Sequence, residues 1–315
     1  MSDKKPNLFI VGAAKAGTTS LHKYLDQHPD IYMAPIKEPH HFSSDINFEE
    51  FNENYKQQVR FDLKRYLTQK RLTNKHIAFI EDKEKYLELF REANNEKYFG
   101  EGSNGYLYSK VAAKEICDFN PHARIIILLR NPVDRAFSHW LMDFRNTDND
   151  IGNFVEALEA DYKGKYKGWG VSHLYVELGR YSNQVKRYLD NFPKEQIKIF
   201  LYEDFRKNNL HVLNDIFRFL GVEEKNKLEK ITSNKASVPK NRRMIQILKS
   251  TGLTPSKTRF FPQPLLRFIK MALYDSQNLP VLSKAERDYV FKKYFKSDVD
   301  KLEKLVNLDF DKWSI

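Results

Sequence analysis

Residues Asn7 to His28 read NLFIVGAAKAGTTSLHKYLDQH, and this stretch decides the fold. Leu8 to Val11 is an unbroken apolar run, which is typical of a strand buried on both faces of a parallel sheet. Gly12 to Thr19 follows with two glycines, small residues, one lysine and two hydroxyls. Apolar residues then recur at helical spacing until Pro29 ends the pattern. This order of strand, glycine loop and helix predicts a phosphate-binding loop, because the loop N–H groups and the positive end of the helix dipole converge on one anion.

The position of Lys15 indicates which kind of loop this is. A Walker A loop carries its lysine directly after the second glycine. Here Gly17 is followed by Thr18 and Thr19, and Lys15 lies two residues before the glycine. A nucleotide triphosphatase would therefore lack its main phosphate lysine. An ordinary glycine turn after a first strand is the alternative, because a lone glycine pattern is a weak signal.

Composition limits the size of the fold and the kind of partner. The chain has 315 residues and 41% hydrophobic content, enough for one large α/β domain or two small ones. The net charge of +11 favours an anionic ligand but also suits a merely solvated basic surface. Cys117 is the single cysteine, which excludes an internal disulfide and a cysteine-built zinc site. No run approaches the roughly 20 apolar residues of a transmembrane helix, so we expect a soluble cytoplasmic protein.

A polar cluster follows the next predicted strand, Ile31 to Met33. Two prolines keep this segment irregular and extended, and it carries Glu38, His40 and His41. Loops at the carboxyl ends of parallel strands are where α/β proteins place their chemistry. Glu38 is therefore a candidate general base, provided that it lies within hydrogen-bond reach of an acceptor proton. The alternative is a surface glutamate paired with Lys37, with two turn histidines beside it.

The strongest strand signal is Arg124 to Leu129, RIIILL, and it leads directly into a helix. The pair Asn131-Pro132 supplies a natural N-cap and the favoured first helical residue. Arg130 thus leaves the end of the strand, and Ser138 lies about two turns into the helix. A guanidinium fork and a hydroxyl can grip one phosphate; the alternative is an arginine paired with Asp134 and a serine on a helix flank. Two anion sites at strand-to-helix junctions suit a ligand with phosphates at both ends of a nucleoside.

These motifs carry a family resemblance. Lys15-Ala-Gly-Thr-Thr resembles the 5′-phosphosulfate loop of sulfotransferases that use 3′-phosphoadenosine 5′-phosphosulfate (PAPS), and Arg130 with Ser138 resembles their 3′-phosphate site. Glu38-Pro-His40 stands where the heparan-sulfate-type members place a glutamate base. The chain is similar to the heparan-sulfate-type and to the bacterial carbohydrate-type members, and the resemblance extends along the sequence to Asp309-Phe-Asp-Lys-Trp313. The resemblance implies a P-loop-like three-layer α/β sandwich with a central parallel sheet of about five strands flanked by helices.

The resemblance also implies the site residues. Lys15, Glu38 and His40 would be catalytic. The residues expected to bind PAPS are Lys15, Ala16, Gly17, Thr18, Thr19, Ser20, Arg130, Ser138, Lys240 and Arg242. Two departures matter: Gly102 stands where the heparan-sulfate type has a lysine, and the family's late lysine-rich loop is altered around Lys240 and Arg242, a cluster that could equally be a solvated linker.

We expect one domain over residues 1–315. Within it, 43–96 and 148–170 are candidate acceptor-side insertions, although plain packing and a solvated loop are the alternatives, and 245–315 reads as C-terminal helices. The second insertion carries Lys163, Lys165 and Lys167 before Trp169, which would suit an acidic sugar chain or a mobile lid.

The expected reaction is in-line transfer of a sulfuryl group from PAPS to an acceptor hydroxyl or amine, on a saccharide or another hydroxyl-bearing molecule. Lys15 would neutralise the departing 5′-phosphate, Glu38 would take the acceptor proton, and His40 would orient it or act as the base. A sulfuryl group carries less negative charge than a phosphoryl group, so no metal is expected, and no nucleic-acid partner. A P-loop small-molecule kinase, dependent on Mg²⁺ and ATP, and a non-catalytic binder of acidic polymers are the alternatives.

Overall fold

The computed structural model describes residues 4–231, 237–250, 269 and 271–313. At its centre is a parallel sheet of five strands in the order β2-β3-β1-β4-β5. The strands are β1 Leu8–Gly12, β2 Ile31–Met33, β3 Tyr98–Gly102, β4 Arg124–Leu129 and β5 Ile197–Leu201. The expected α/β sandwich with about five parallel strands is confirmed.

The two central strands explain why the sheet forms. Every residue of β1 is buried, and Arg124 is the only residue of β4 that is not. The two strands pair in parallel with Phe9 opposite Ile125 and Ile10 opposite Ile126. Continuous apolar strands of this kind are stable only when helices cover both faces of the sheet.

Helices connect and flank the strands. Those before β4 are α1 Thr18–Leu25, α2 Glu53–Val59, α3 Leu63–Leu67, α4 Lys83–Leu87, α5 Gly105–Tyr108 and α6 Ala112–Phe119. Those from β4 to residue 231 are α7 Pro132–Arg145, α8 Phe154–Lys163, α9 Ser182–Asn191, α10 Tyr202–Lys207 and α11 Asn209–Leu220. Short 3₁₀ turns lie at Phe48–Glu50, Glu88–Phe90, Glu177–Gly179, Lys194–Gln196 and Asp311–Trp313.

The C-terminal part of the chain is described only in pieces. Its helices are α12 Arg242–Ser250, α13 Lys284–Val290 and α14 Lys296–Leu305, with a π-helical turn at Phe291–Phe295 between the last two. A two-stranded antiparallel pair, β6 Val238–Pro239 and β7 Tyr274–Asp275, lies beside α7. Within the described residues, no helix is both long and apolar enough to cross a bilayer.

Local sequence signals fix the ends of the helices that matter for the site. The Asn131 side chain accepts hydrogen bonds from the backbone N–H groups of Val133 and Asp134, which caps α7 directly after β4. Gly221 ends α11 in the left-handed conformation. Because the strands are parallel, the residues that follow β1 to β4 reach the same edge of the sheet.

Candidate active site

The loop after β1 forms the floor of the candidate site. Gly17 caps α1 with φ +87°, and a Cβ atom there would lie 3.0 Å from the ring of Tyr202, so a glycine is required. The backbone N–H of Ser20 bonds to the Gly17 oxygen at 3.0 Å, whereas those of Thr18 and Thr19 have no hydrogen-bond partner among the described residues. Thr18 opens the helix and is buried, and Thr19 is exposed. The loop therefore presents unpaired backbone donors to an anion.

Lys15 reaches from this loop towards α7. Its backbone is left-handed, with φ +66°, and its Nζ lies 3.3 Å from the Sδ of Met142. Burial lowers the pKa of Lys15 to about 8; the Asp143 carboxylate opposes this shift, and the nearby guanidinium of Arg130 adds to it. The ammonium is thus held out of water beside other cations, which favours the approach of an anion.

Arg130 and Ser138 lie on the same side as the loop. Arg130 donates from Nη1 to the backbone oxygen of Lys15 at 2.9 Å, and its guanidinium stacks 4.7 Å from the ring centroid of Tyr202. Ser138 precedes Met142 by one helical turn on α7, so it shares the face that meets Lys15. Its hydroxyl makes no hydrogen bond to any residue that the structure describes.

Arg135 is a third cation of this region, and the sequence reasoning left it without a role. Its side chain is fully buried in α7 and donates from Nη2 to the backbone oxygen of Tyr175 at 2.5 Å. Its Nε and Nη1 have no hydrogen-bond partner in the described part of the chain. Burial lowers the pKa of Arg135 to about 10, so the group remains charged at neutral pH. A buried donor without a partner is costly, and a bound anion nearby would offset that cost.

Glu38 is buried rather than exposed, although its predicted pairing with Lys37 is present. Lys37 Nζ lies 2.5 Å from Glu38 Oε1, and both side chains are less than a tenth exposed. Burial alone would raise the pKa of Glu38, but Lys37 and His40 outweigh it and hold the pKa well below its ordinary value. The carboxylate is therefore ionised at neutral pH. The interpretation of Glu38 as a surface residue is wrong.

His40 stands beside Glu38 in a strained segment. The Nε2 of His40 lies 3.5 Å from Oε2 of Glu38, and neither ring nitrogen has a hydrogen-bond partner among the described residues. The His40 ring is stacked on Phe79 with 4.5 Å between centroids. Glu38 and His40 both have positive φ, +67° and +50°, and such strain in non-glycine residues concentrates at functional sites.

Asn104 connects the carboxylate to the anion loop, and nothing in the sequence reasoning singled it out. Its Nδ2 donates to Oε1 of Glu38 at 2.8 Å, and its Oδ1 accepts from the hydroxyl of Thr18 at 2.7 Å. Asn104 follows β3, so three strand ends contribute to one hydrogen-bonded chain. Its position just after the end of β3 is the signal that could have found it.

The position of the missing family lysine, Gly102, faces α1. A Cβ atom there would lie 3.6 Å from Nδ1 of His22, a buried nitrogen without a partner among the described residues. Burial lowers the pKa of His22 to about 3, so the imidazole is neutral. The ammonium on this side of the site belongs instead to Lys37, bonded to Glu38.

Lys240 and Arg242 are not brought to Arg130 by any contact that the structure describes. Arg242 donates to the Asn149 backbone oxygen at 2.6 Å and to the Asp150 carboxylate at 2.7 Å, and it stacks 4.0 Å from the ring of Phe144. Lys240 is exposed, and its backbone N–H donates to Leu273. Their role in binding the 3′-phosphate stays a prediction. So do the roles of Ala16, which is buried, and Ser20, which is half-buried.

The fold and the site together define an α/β protein with a candidate anion loop after β1, a second cationic cluster after β4 and an ionised carboxylate after β2. No cluster of three or more potential metal ligands occurs among the residues described. The two nitrogens of Arg135 that lack a partner in the described part of the chain fit an anionic ligand.

Comparison with known proteins gives the family. A model of the sulfotransferase family matches residues 6–226, so the chain belongs to that family. A sulfotransferase of known structure from Alicyclobacillus acidocaldarius is 31% identical, with 99% of both chains covered and a TM-score of 0.67. The expected sulfotransferase family is therefore confirmed, and these comparisons support neither the kinase nor the non-catalytic binder.

Curated relatives are longer than this chain. The bifunctional heparan sulfate N-deacetylase/N-sulfotransferase 1 of Xenopus laevis is 26% identical over 229 residues, and that of Mus musculus is 27% identical over the same length. Each match covers 70% of this chain but only 22% of the relative. The chain therefore resembles about a fifth of these proteins.

Proposed function

We propose that Lys15, Glu38 and the two cationic sites carry sulfuryl transfer from PAPS to a hydroxyl group of a saccharide. The observation that carries this proposal is the hydrogen-bonded chain from Thr18 through Asn104 to Glu38. It ties a carboxylate to the loop that would hold the 5′-phosphosulfate. A base and a leaving-group site must be held in fixed relation for in-line transfer, and this link supplies it.

Lys15 acts on the leaving group in this scheme. During transfer the acceptor oxygen bonds to sulfur while the bond from sulfur to the 5′-phosphate oxygen breaks, and that oxygen keeps the electron pair. The Lys15 ammonium and the N–H groups at the start of α1 stabilise the charge that grows there, as preorganised donors do in other transfer reactions. An anionic nucleotide also favours the protonated form of Lys15.

Glu38 receives the proton of the acceptor hydroxyl. Lys37 keeps the carboxylate ionised before the reaction, with its Nζ 2.5 Å from Oε1. Nε2 of His40 lies 3.5 Å from the other carboxylate oxygen, and Nδ1, which has no hydrogen-bond partner among the described residues, can orient the acceptor. A carboxylate with a lowered pKa is a weak base, so it takes the proton late, once the acceptor oxygen has begun to bond to sulfur.

Arg130 and Ser138 bind the 3′-phosphate, and the positive charge of Arg135 strengthens that site from within the protein. Arg130 is half-buried, with one nitrogen bonded to the loop and its guanidinium stacked on Tyr202. This fixed orientation leaves the outer edge of the guanidinium for the phosphate, a geometry suited to paired charge-assisted hydrogen bonds.

A saccharide acceptor is supported by the named substrate of the matched relatives, heparan sulfate. The net charge of +11 also suits an acidic sugar chain. An amine on the sugar is the second candidate for the accepting group, because those relatives are named N-sulfotransferases.

Mass spectrometry tests the proposal directly. The protein is incubated with PAPS and unsulfated heparan-type oligosaccharides, N-acetylated or with free amines, and the product is searched for an added sulfonate. Lys15→Ala should lower the rate by about 10²- to 10³-fold, as for loss of one oxyanion donor, while Lys23→Ala, an exposed lysine on α1, should leave it unchanged. A Lys15→Ala enzyme with near-normal turnover would refute the assignment.

We also propose that the protein works in the cytoplasm. The single cysteine supports this location, because secreted proteins commonly use disulfides. Cell fractionation of a tagged chain tests it; recovery from a secreted or membrane fraction would contradict it.

A further inference from the structure

The two inserted segments, 43–96 and 148–170, meet beside the catalytic carboxylate. The carbonyl of Gly170 accepts two hydrogen bonds from Asn52, one from the backbone N–H and one from Nδ2, both at 2.8 Å. Gly170 has φ +73°, and a Cβ atom there would lie 2.5 Å from Phe51 and 2.7 Å from Tyr55. The contact therefore depends on glycine, and it fixes residues 168–170 against α2.

This junction holds Trp169 over His40. The indole ring lies 5.6 Å from the His40 ring and 6.1 Å from the ring of Tyr108, measured between centroids. His40 in turn is 3.5 Å from Glu38. Trp169 is half-buried, so part of its ring surface stays accessible beside the base. An acceptor that reaches Glu38 has this ring within reach.

The hydroxyl of Tyr55 lies at the edge of the same ring. The indole N–H of Trp169 donates to the Tyr55 oxygen at 3.1 Å. That bond uses the oxygen as an acceptor and leaves the phenol proton without a partner in the described part of the chain. Burial raises the pKa of Tyr55, and so does the charge of Glu38, so the phenol stays protonated and remains a donor.

Tyr55 is half-buried, so an incoming ligand oxygen can accept its phenol proton. Nδ1 of His40 also lacks a hydrogen-bond partner among the residues that the structure describes, so it too can bond to a ligand. One aromatic face bordered by polar donors matches a sugar ring, which has an apolar C–H face and a polar edge. An enclosed apolar slot, by contrast, would suit a flat phenol.

We propose that Trp169 and Tyr55 form the acceptor subsite, in which a sugar ring packs on the indole face while one of its oxygens accepts the phenol proton of Tyr55. This contact orients the reactive hydroxyl towards Glu38. The inference rests on the proposed function and adds to it the residues that recognise the acceptor. It also gives the two inserted segments a common role.

Two variants test the subsite, with one matched control. Tyr55→Phe removes only the phenol oxygen, and Trp169→Ala removes the ring. Tyr66→Phe is the control, because the Tyr66 hydroxyl lies in the same insertion but donates to the Thr73 carbonyl at 2.7 Å. The probes are 3′,5′-bisphosphoadenosine (PAP), an unsulfated heparan-type tetrasaccharide bound to the PAP-loaded protein, and p-nitrophenol as a flat acceptor.

Tyr55→Phe should weaken tetrasaccharide binding by about 5- to 10-fold, the effect of one hydrogen bond. Trp169→Ala should weaken it by about 30-fold or more, as for a buried aromatic anchor. Both should change the Kd for PAP by less than about twofold, and Tyr66→Phe should match the wild type in both assays. Because Tyr55→Phe is a minimal change, it keeps the test valid if Trp169→Ala fails to fold.

The outcomes separate this inference from the proposed function. If the wild type binds and sulfates the tetrasaccharide but Tyr55→Phe and Trp169→Ala do so equally well, the subsite is wrong and the proposed function stands. If the wild type binds PAP and sulfates only p-nitrophenol, the saccharide assignment and the subsite both fall. Failure of the wild type to bind PAP would overturn the proposed function itself.

Discussion

Raising the pH above 8 should remove the proton from Lys15, and the rate of sulfuryl transfer should fall with it. Burial lowers the pKa of this lysine to about 8. The ammonium would then be about nine-tenths protonated at pH 7 and about one-tenth protonated at pH 9, so kcat/KM for PAPS should drop about 10-fold between these values. On the acid side the profile should stay flat down to about pH 5 as far as Glu38 is concerned, because the pKa of that carboxyl lies well below its ordinary value.

The assay is the initial rate of PAP release at limiting PAPS from pH 5 to pH 10, with circular dichroism at each pH to verify folding. kcat/KM reports the free enzyme, whereas kcat reports the complex, in which the nucleotide charge should move the basic limb to higher pH. Lys15→Arg is the matched variant, since a guanidinium stays charged throughout this range. A wild-type profile that is flat to pH 10, or a Lys15→Arg enzyme with the same limb near pH 8, would refute the reasoning.

Three further changes test other parts of the structure. Burial raises the pKa of Glu101 from 4.5 to about 7, so the folded state holds this proton more tightly than the unfolded state. The free energy of unfolding should therefore fall by up to about 3 kcal/mol as the pH rises from about 4.5 to 7. Urea unfolding of Glu101→Gln should show no such fall, and an unchanged pH dependence in this variant would contradict the prediction. Gly170→Ala should lower the free energy of unfolding by about 1–3 kcal/mol with PAP affinity retained, because its Cβ would collide with Phe51. An unchanged Tm would contradict the close packing of Gly170 against Phe51. Asn104→Ala should lower kcat by about 10-fold with PAP affinity within about twofold, because the link to Glu38 is lost; an unaltered kcat would remove Asn104 from the scheme.

Much of the fold depends on short-range sequence patterns, so these elements could be predicted. The strand Arg124–Leu129 and the helix that starts at Pro132 agree with their sequence signals, because a run of β-branched residues and an Asn-Pro cap act locally. The capping box at Ser283 and Glu286 is another local pattern, because its two hydrogen bonds join residues of one helical turn. The anion loop follows from the spacing of its glycines.

The surroundings of Glu38 were not predictable, because they depend on contacts between distant segments. Sequence could nominate Glu38 but not its burial, which comes from the packing of three strand ends and the bond from Asn104. The position of Trp169 beside His40 depends on the close approach of Gly170 to Phe51, which no local sequence pattern predicts. Arg135 lies on an ordinary helical face, and only the packed structure reveals that two of its nitrogens have no partner among the described residues.

Titration of the protein with PAP by calorimetry tests the central claim most directly. The claim is that two cationic sites, each at a junction from strand to helix, hold the two ends of one nucleotide. We predict that the wild type binds one PAP per chain and that the double variant Arg130→Ala with Ser138→Ala binds about 100-fold or more weakly, because a charge-assisted site is lost. No binding by the wild type, or equal affinity in the double variant, would contradict the account.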